Sequence, residues 1–139
     1  MAIKSIFPQD MMQSSSQGGM TLESIAGKLT YFHEQLHLIH WQTSSYAEHQ
    51  ATGGLYDYVH DFKDGVMEKL MGYAGKRVQA PKMEPVVNNA SAMGVVNELK
   101  QFASDLKAYG EANSYHDICN LADSLSGEAA KTLYLLTLS

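Results

Sequence analysis

The sequence predicts an all-α protein: an antiparallel four-helix bundle with a long crossover between the second and third helices. Three observations carry this reading. Apolar residues recur at steps of three and four in four separate segments. No strand-like alternation competes with them anywhere. A proline-bearing stretch, "GKRVQAPKMEPVVNN", separates the first two periodic segments from the last two. Two helices, a longer connection and two more helices suit a bundle of this topology.

The first helix is expected from Thr21, a suitable N-cap. Leu22, Ile25, Leu29, Phe32, Leu36 and Ile39 form its stripe, and "QTSS" at 42–45 should turn the chain. The second helix should run from about Ala47 to Tyr73, with Leu55, Val59, Phe62, Val66, Leu70 and Tyr73 inward. Gly53-Gly54 lies inside it at a cost of about 1 kcal/mol per glycine relative to alanine. Either the helix kinks there or something packs against bare backbone. Ser91 should cap the third helix, with Val95, Leu99, Phe102, Leu106 and Tyr109 inward and Gly110 as its terminator. Ser114 with Asp117 resembles a capping pair opening the fourth. Its inward positions are Ile118, Leu121, Leu125, Ala129, Leu133 and Leu136. Residues 1–20 read as a tail, and 21–139 as one domain.

The bulk properties narrow the function. A chain of 139 residues supports one domain with a real core. A net charge of −5 without a basic cluster disfavours nucleic acid and favours cations. No apolar run is long enough to span a bilayer, and the N-terminus does not read as a secretory signal. One cysteine, Cys119, cannot make an internal disulfide and fits a reducing, cytoplasmic compartment.

Five of the six histidines fall on the first two helices. With His33 at zero on the first helix, His37 lies at about 40° and His40 at about −20°, one file on one face. With His49 at zero on the second, His60 lies near 20°, Asp64 near 60°, Asp57 near 80° and Glu68 near 100°. Imidazole with carboxylate is a ligand set for iron, zinc or manganese. A single histidine beside an apolar stripe is ordinarily just packed, and an i,i+4 acid pair ordinarily just solvated. The co-location of so many is what favours a metal. A di-iron bundle complete in one chain needs two Glu-x-x-His pairs. Only Glu34-x-x-His37 is present, so a bimetal site would be shared between chains across a two-fold axis.

His40-Trp41, His49 and "DGVMEK" at 64–69 resemble the Dps family of mini-ferritins, DNA-binding proteins from starved cells. The His-x14-Asp-x3-Glu spacing from His49 agrees without a gap. The resemblance spans roughly 22–139, but its specific part lies within 37–69. The chain is also similar to short ferritin-like proteins carried by some bacteriophages. The resemblance implies a ferritin-like, hollow homododecamer built from two-fold dimers. Ferroxidase centres at the dimer interfaces would take two histidines from one subunit and an Asp and a Glu from the other. Iron(II) is oxidised there by hydrogen peroxide or oxygen, and ferric iron is stored in the shell, protecting against oxidative damage. Carried onto this sequence, the ligands are His40, His49, Asp64 and Glu68, with zinc as a possible substitute for iron. His40 keeps the His-Trp pair if the loop is three residues shorter, whereas His37 keeps His-x11-His. We take His40, because loops change length more readily than a Trp-flanked ligand moves, and His37 becomes an outer or alternative ligand.

Two departures stand out. Gly53 replaces a carboxylate one turn after the second histidine, and Gln50 replaces a glutamate. The loss at Gly53 weakens the second metal position, where Asp57 or His60 is available to compensate. No lysine-rich tail is present, so DNA binding does not carry over. Trp41, Tyr31, Tyr46 and Tyr56 could absorb stray oxidising equivalents, although burial is the ordinary role of such rings. The competing class is a non-catalytic helical assembly or virion-associated protein with a vestigial or structural metal site.

Overall fold

The computed structural model describes residues 19–138. The tail reading, apart from Gly19 and Met20, lies outside the described residues. The elements are α1 (Leu22–Gln42), α2 (Tyr46–Ala74), α3 (Ala92–Ala112) and α4 (His116–Leu135), with no strand among the described residues. They pack as a helical bundle around one apolar core, which takes Phe32 and Leu36 from α1, Leu55 and Val59 from α2, Leu99 and Phe102 from α3, and Ile118 and Leu125 from α4. No helix among the described residues is long and apolar enough to cross a membrane.

Local chemistry sets most of the ends. Thr21 and Ser24 form a reciprocal capping box: Ser24 N–H donates to Thr21 Oγ1 (3.0 Å) and Thr21 N–H to Ser24 Oγ (2.8 Å). Ser45 and Ser91 accept from Glu48 N–H and Gly94 N–H. Gly75, at φ 69°, closes α2 in the left-handed region, where a glycine avoids the Cβ penalty.

The fourth helix begins differently from the expectation. Ser114 sits at φ 58°, one residue before the N-cap Tyr115, and that cap has no side-chain hydrogen bond. Gly110 does not end α3, which continues to Ala112. Gly110 is instead a contact point: a Cβ there would lie 2.9 Å from Cys119 Sγ and 3.2 Å from the Tyr115 carbonyl oxygen. Every predicted inward residue of α1 is buried. On α4, Ala122 and Thr132 are buried, while Leu121, Leu133 and Leu136 are half-buried at the core's edge. Tyr73 is exposed and stacks on Tyr115 at 4.2 Å.

Contacts pair rising numbers on one helix with falling numbers on the next. His33 meets His60 and His40 meets His49 across α1 and α2. Lys69 pairs with Asp117 (2.9 Å) and Tyr73 with Tyr115 across α2 and α4. Lys107 pairs with Asp123 (3.0 Å) while Gly110 meets Cys119 across α3 and α4.

The crossover between α2 and α3 climbs along α1. Gln79 N–H donates to Glu23 Oε2 (2.8 Å), Lys28 reaches Glu84 (3.4 Å), and Gln42 Oε1 accepts from Asn89 N–H (2.8 Å). Its anchor is Gln35, which is fully buried. The Gln35 amide donates to the Val87 carbonyl oxygen (3.0 Å) and accepts from Val87 N–H (2.8 Å), as a paired peptide would. A buried amide is tolerated because both ends are satisfied. Below it, Gly27 lets the crossover touch the helix: a Cβ at 27 would stand 2.3 Å from the Lys82 carbonyl oxygen.

Alanine at position 27 would favour helix by about 1 kcal/mol. Overlap with a backbone carbonyl outweighs that gain, so Gly27→Ala should lower stability by about 1–3 kcal/mol. A lower urea midpoint with unchanged slope is the expected result.

Candidate metal centre on the first helix pair

Helices α1 and α2 are joined by only Thr43–Ser45. The turn is held by Thr43, whose hydroxyl donates to Glu48 Oε1 (2.7 Å), and by the Ser45 cap. This short reversal puts His40, near the end of α1, opposite His49, in the first turn of α2. Their rings stack with centroids 3.7 Å apart and planes 18° from parallel.

The pair is locked by its own backbone. His40 Nδ1–H donates to the His49 carbonyl oxygen (2.7 Å), and His49 Nδ1–H donates to the His40 carbonyl oxygen (2.8 Å). A carbonyl only accepts, so each Nδ1 carries the proton. A neutral ring with its proton on Nδ1 keeps its lone pair on Nε2, the arrangement in which histidine ligates metals. The glycine at 53 makes room for this: a Cβ there would lie 2.9 Å from His40 Cε1 and 3.0 Å from Nδ1. Of the two expectations for Gly53-Gly54, close approach to bare backbone holds at Gly53, and α2 continues through both residues. Nothing stands within 4 Å of where a Cβ at Gly54 would be.

The stack limits what the two rings can do together. An imidazole lone pair lies in the ring plane, and planes this close to parallel meet only far from both rings. As they stand, the two nitrogens do not grip one ion; each can serve an ion of its own.

The other candidates are spread along the seam. His37 packs against Trp41 (3.9 Å) and stacks on Tyr56 (4.3 Å). Tyr56 also meets His33 at 5.6 Å and His40 at 5.4 Å, and is the hub of the file. His60 faces His33 rather than His49. Asp57, Asp64 and Glu68 are exposed on α2. Fifteen residues of helix separate Asp64 from His49, roughly 22 Å. One chain therefore does not unite His40 and His49 with Asp64 and Glu68. Among the described residues, no three His, Cys, Asp or Glu side chains converge as a cation cage.

Burial of the His33 ring holds its pKa below the ordinary histidine value, against the opposing pull of the Glu34 carboxylate. The aromatic residues divide. Tyr31 is buried, whereas Trp41 is 67% exposed and Tyr46 74% exposed, contrary to the expectation of burial for Trp41.

Sequence reasoning missed the reciprocal lock and the His33–His60 pairing. Mirroring the chain about Thr43–Ser45 would have disclosed both, since that fold line sets His40 near His49 and His33 near the Tyr56–His60 turn.

Gly53→Ala should leave the helices intact and push the His40 ring from its seat. Nitrogen-15 correlation spectra of the imidazoles test this. The parent should show both rings protonated at Nδ1, and the variant should lose that signature at His40.

No curated protein and no solved structure matches the chain. A family model does match over residues 40–136, a span that starts at His40 and takes in His49, Asp64 and Glu68. The chain belongs to that family, the family of unknown function DUF5856.

Proposed function

We propose that this protein is a Dps-like mini-ferritin. Two-fold dimers assemble into a hollow shell of about twelve subunits, and iron(II) is oxidised and stored there as ferric iron. The fold in this reading is an antiparallel, ferritin-like bundle, supported by the descending contact pairs and by the crossover that climbs along α1.

The observation that carries the reading is the His40–His49 pair. Two imidazoles are held through Nδ1, which leaves Nε2 as the ligating atom, and they are flanked by exposed Trp41 and Tyr46. Asp64 and Glu68 lie too far along α2 to serve their own His49, so they serve the partner's. Iron(II) is the substrate. Each imidazole holds one iron of a pair. The carboxylates supply hard oxygen donors, which favour the ferric product. Two iron(II) ions give one electron each to hydrogen peroxide. The O–O bond breaks, two protons are taken up and two waters leave, so no hydroxyl radical is released.

Gly53 favours a second reading. At the position where the Dps family often carries a carboxylate, the His40 ring lies against the bare backbone of Gly53. That suits a non-catalytic helical assembly whose site is vestigial or holds a structural zinc.

Stopped-flow absorbance after iron(II) addition separates the two, with light scattering as the control for assembly. The parent should oxidise iron rapidly, and Glu68→Ala should abolish the fast phase while the particle stays assembled. A parent without a fast phase supports the second reading. A variant as fast as its parent refutes the site.

A further inference from the structure

A different pair on the same seam has the geometry that the His40–His49 stack lacks. His33 lies seven residues before His40 on α1, about 10 Å away along the helix. Its side chain is only 15% exposed, and its Nδ1 is wholly buried without a hydrogen-bond partner. Buried ring nitrogens are ordinarily satisfied, so an orphan asks what it is for. Glu34 Oε2 stands 3.6 Å from this nitrogen. That is too long for a hydrogen bond. It is close to the separation of two ligands on one ion, roughly 3.3–3.6 Å for bonds of about 2.0–2.2 Å.

The third group comes from α2. The His60 ring lies 5.2 Å from that of His33, with planes 41° apart. Two imidazoles on one tetrahedral ion place their centroids roughly 5 Å apart. Unlike the stacked pair, these rings are steeply inclined to each other, and turning the exposed His60 ring could bring a nitrogen from each toward a common point. His33 is the fixed member, seated against Tyr56. As they stand the three side chains do not converge on one point; Glu34 and His60 are exposed, and the site requires them to close on His33. Burial of the His33 ring favours its neutral form. Lys63 is the opposing cation nearby, and the Glu34 carboxylate offsets it.

We propose that His33, Glu34 and His60 form a second site, complete within one chain, for a borderline divalent cation such as zinc(II), with water filling the remaining position. Nitrogen donors with one carboxylate suit that class of ion. The site needs no partner subunit and no redox step, and it stands whether or not the shared centre oxidises iron.

The test is calorimetric titration of metal-free, full-length protein with zinc(II), in a His49→Ala background that disables the shared centre. One zinc per chain should remain. Adding His60→Ala, at an exposed position that leaves folding undisturbed, should weaken it by at least about tenfold, since even outer partners of a metal site contribute about 10–100-fold. His33→Gln should do the same. Imidazole resonances of His33 and His60 should shift with zinc in the His49→Ala protein. Zinc affinity unchanged by His60→Ala would overturn the proposal, as would the absence of any zinc once His49 is gone. In the latter case zinc belongs to the shared centre, and iron oxidation remains a separate measurement.

Discussion

Two hydrogen bonds between the end of α1 and the start of α2 organise the histidine face of this protein. Each imidazole of the His40–His49 pair is held by the other's main chain. The arrangement depends on a turn of three residues, because a longer loop would let the helix ends drift apart. It depends equally on Gly53, because any side chain there would occupy the seat of the His40 ring. A glycine in mid-helix is costly on propensity alone. Here that cost is offset by a fixed ring and a fixed Nδ1 hydrogen bond.

From this point the seam runs down α1 and α2 as a file of rings. Tyr56 touches three histidines, and His33 closes on His60 at the far end. The opposite flank of α1 is treated quite differently. There Gln35 and Gly27 receive the crossover, one by paired amide bonds and the other by bare backbone. With the core on one side and the crossover on another, α1 is held rigidly while its histidine face stays open. Rigid elements beneath a polar face are what a binding site requires, since its side chains must be held in place by the scaffold.

Much of this was readable from the residues alone. Helical periodicity placed four helices, and the stripe on α1 was right at every position because nothing there competes with burial. The histidine file followed from 100° geometry. The start of α4 was misread because Ser114 looks like a cap in a linear pattern, while the chain adopts a left-handed turn at that residue. Gly110 misled for a related reason: a glycine can end a helix or admit a neighbour, and only the position of Cys119 decides which. Gln35 carried no signal at all, since a buried amide looks like any surface glutamine until its partner on a distant loop is known. The expected burial of Trp41 failed because its ring lies on His37 at the surface instead of in the core.

The central claim is that imidazoles of one chain work with carboxylates of its twin. Subunit mixing tests it most directly. One variant lacks His40 and His49, and another lacks Asp64 and Glu68; each assembly alone should be inactive. Dissociated and reassembled together, they form mixed dimers in which one shared centre is whole, and rapid iron oxidation should return. If the mixture stays as inactive as its parents although mixed dimers are present, the two sets of ligands do not meet across subunits and the account is wrong.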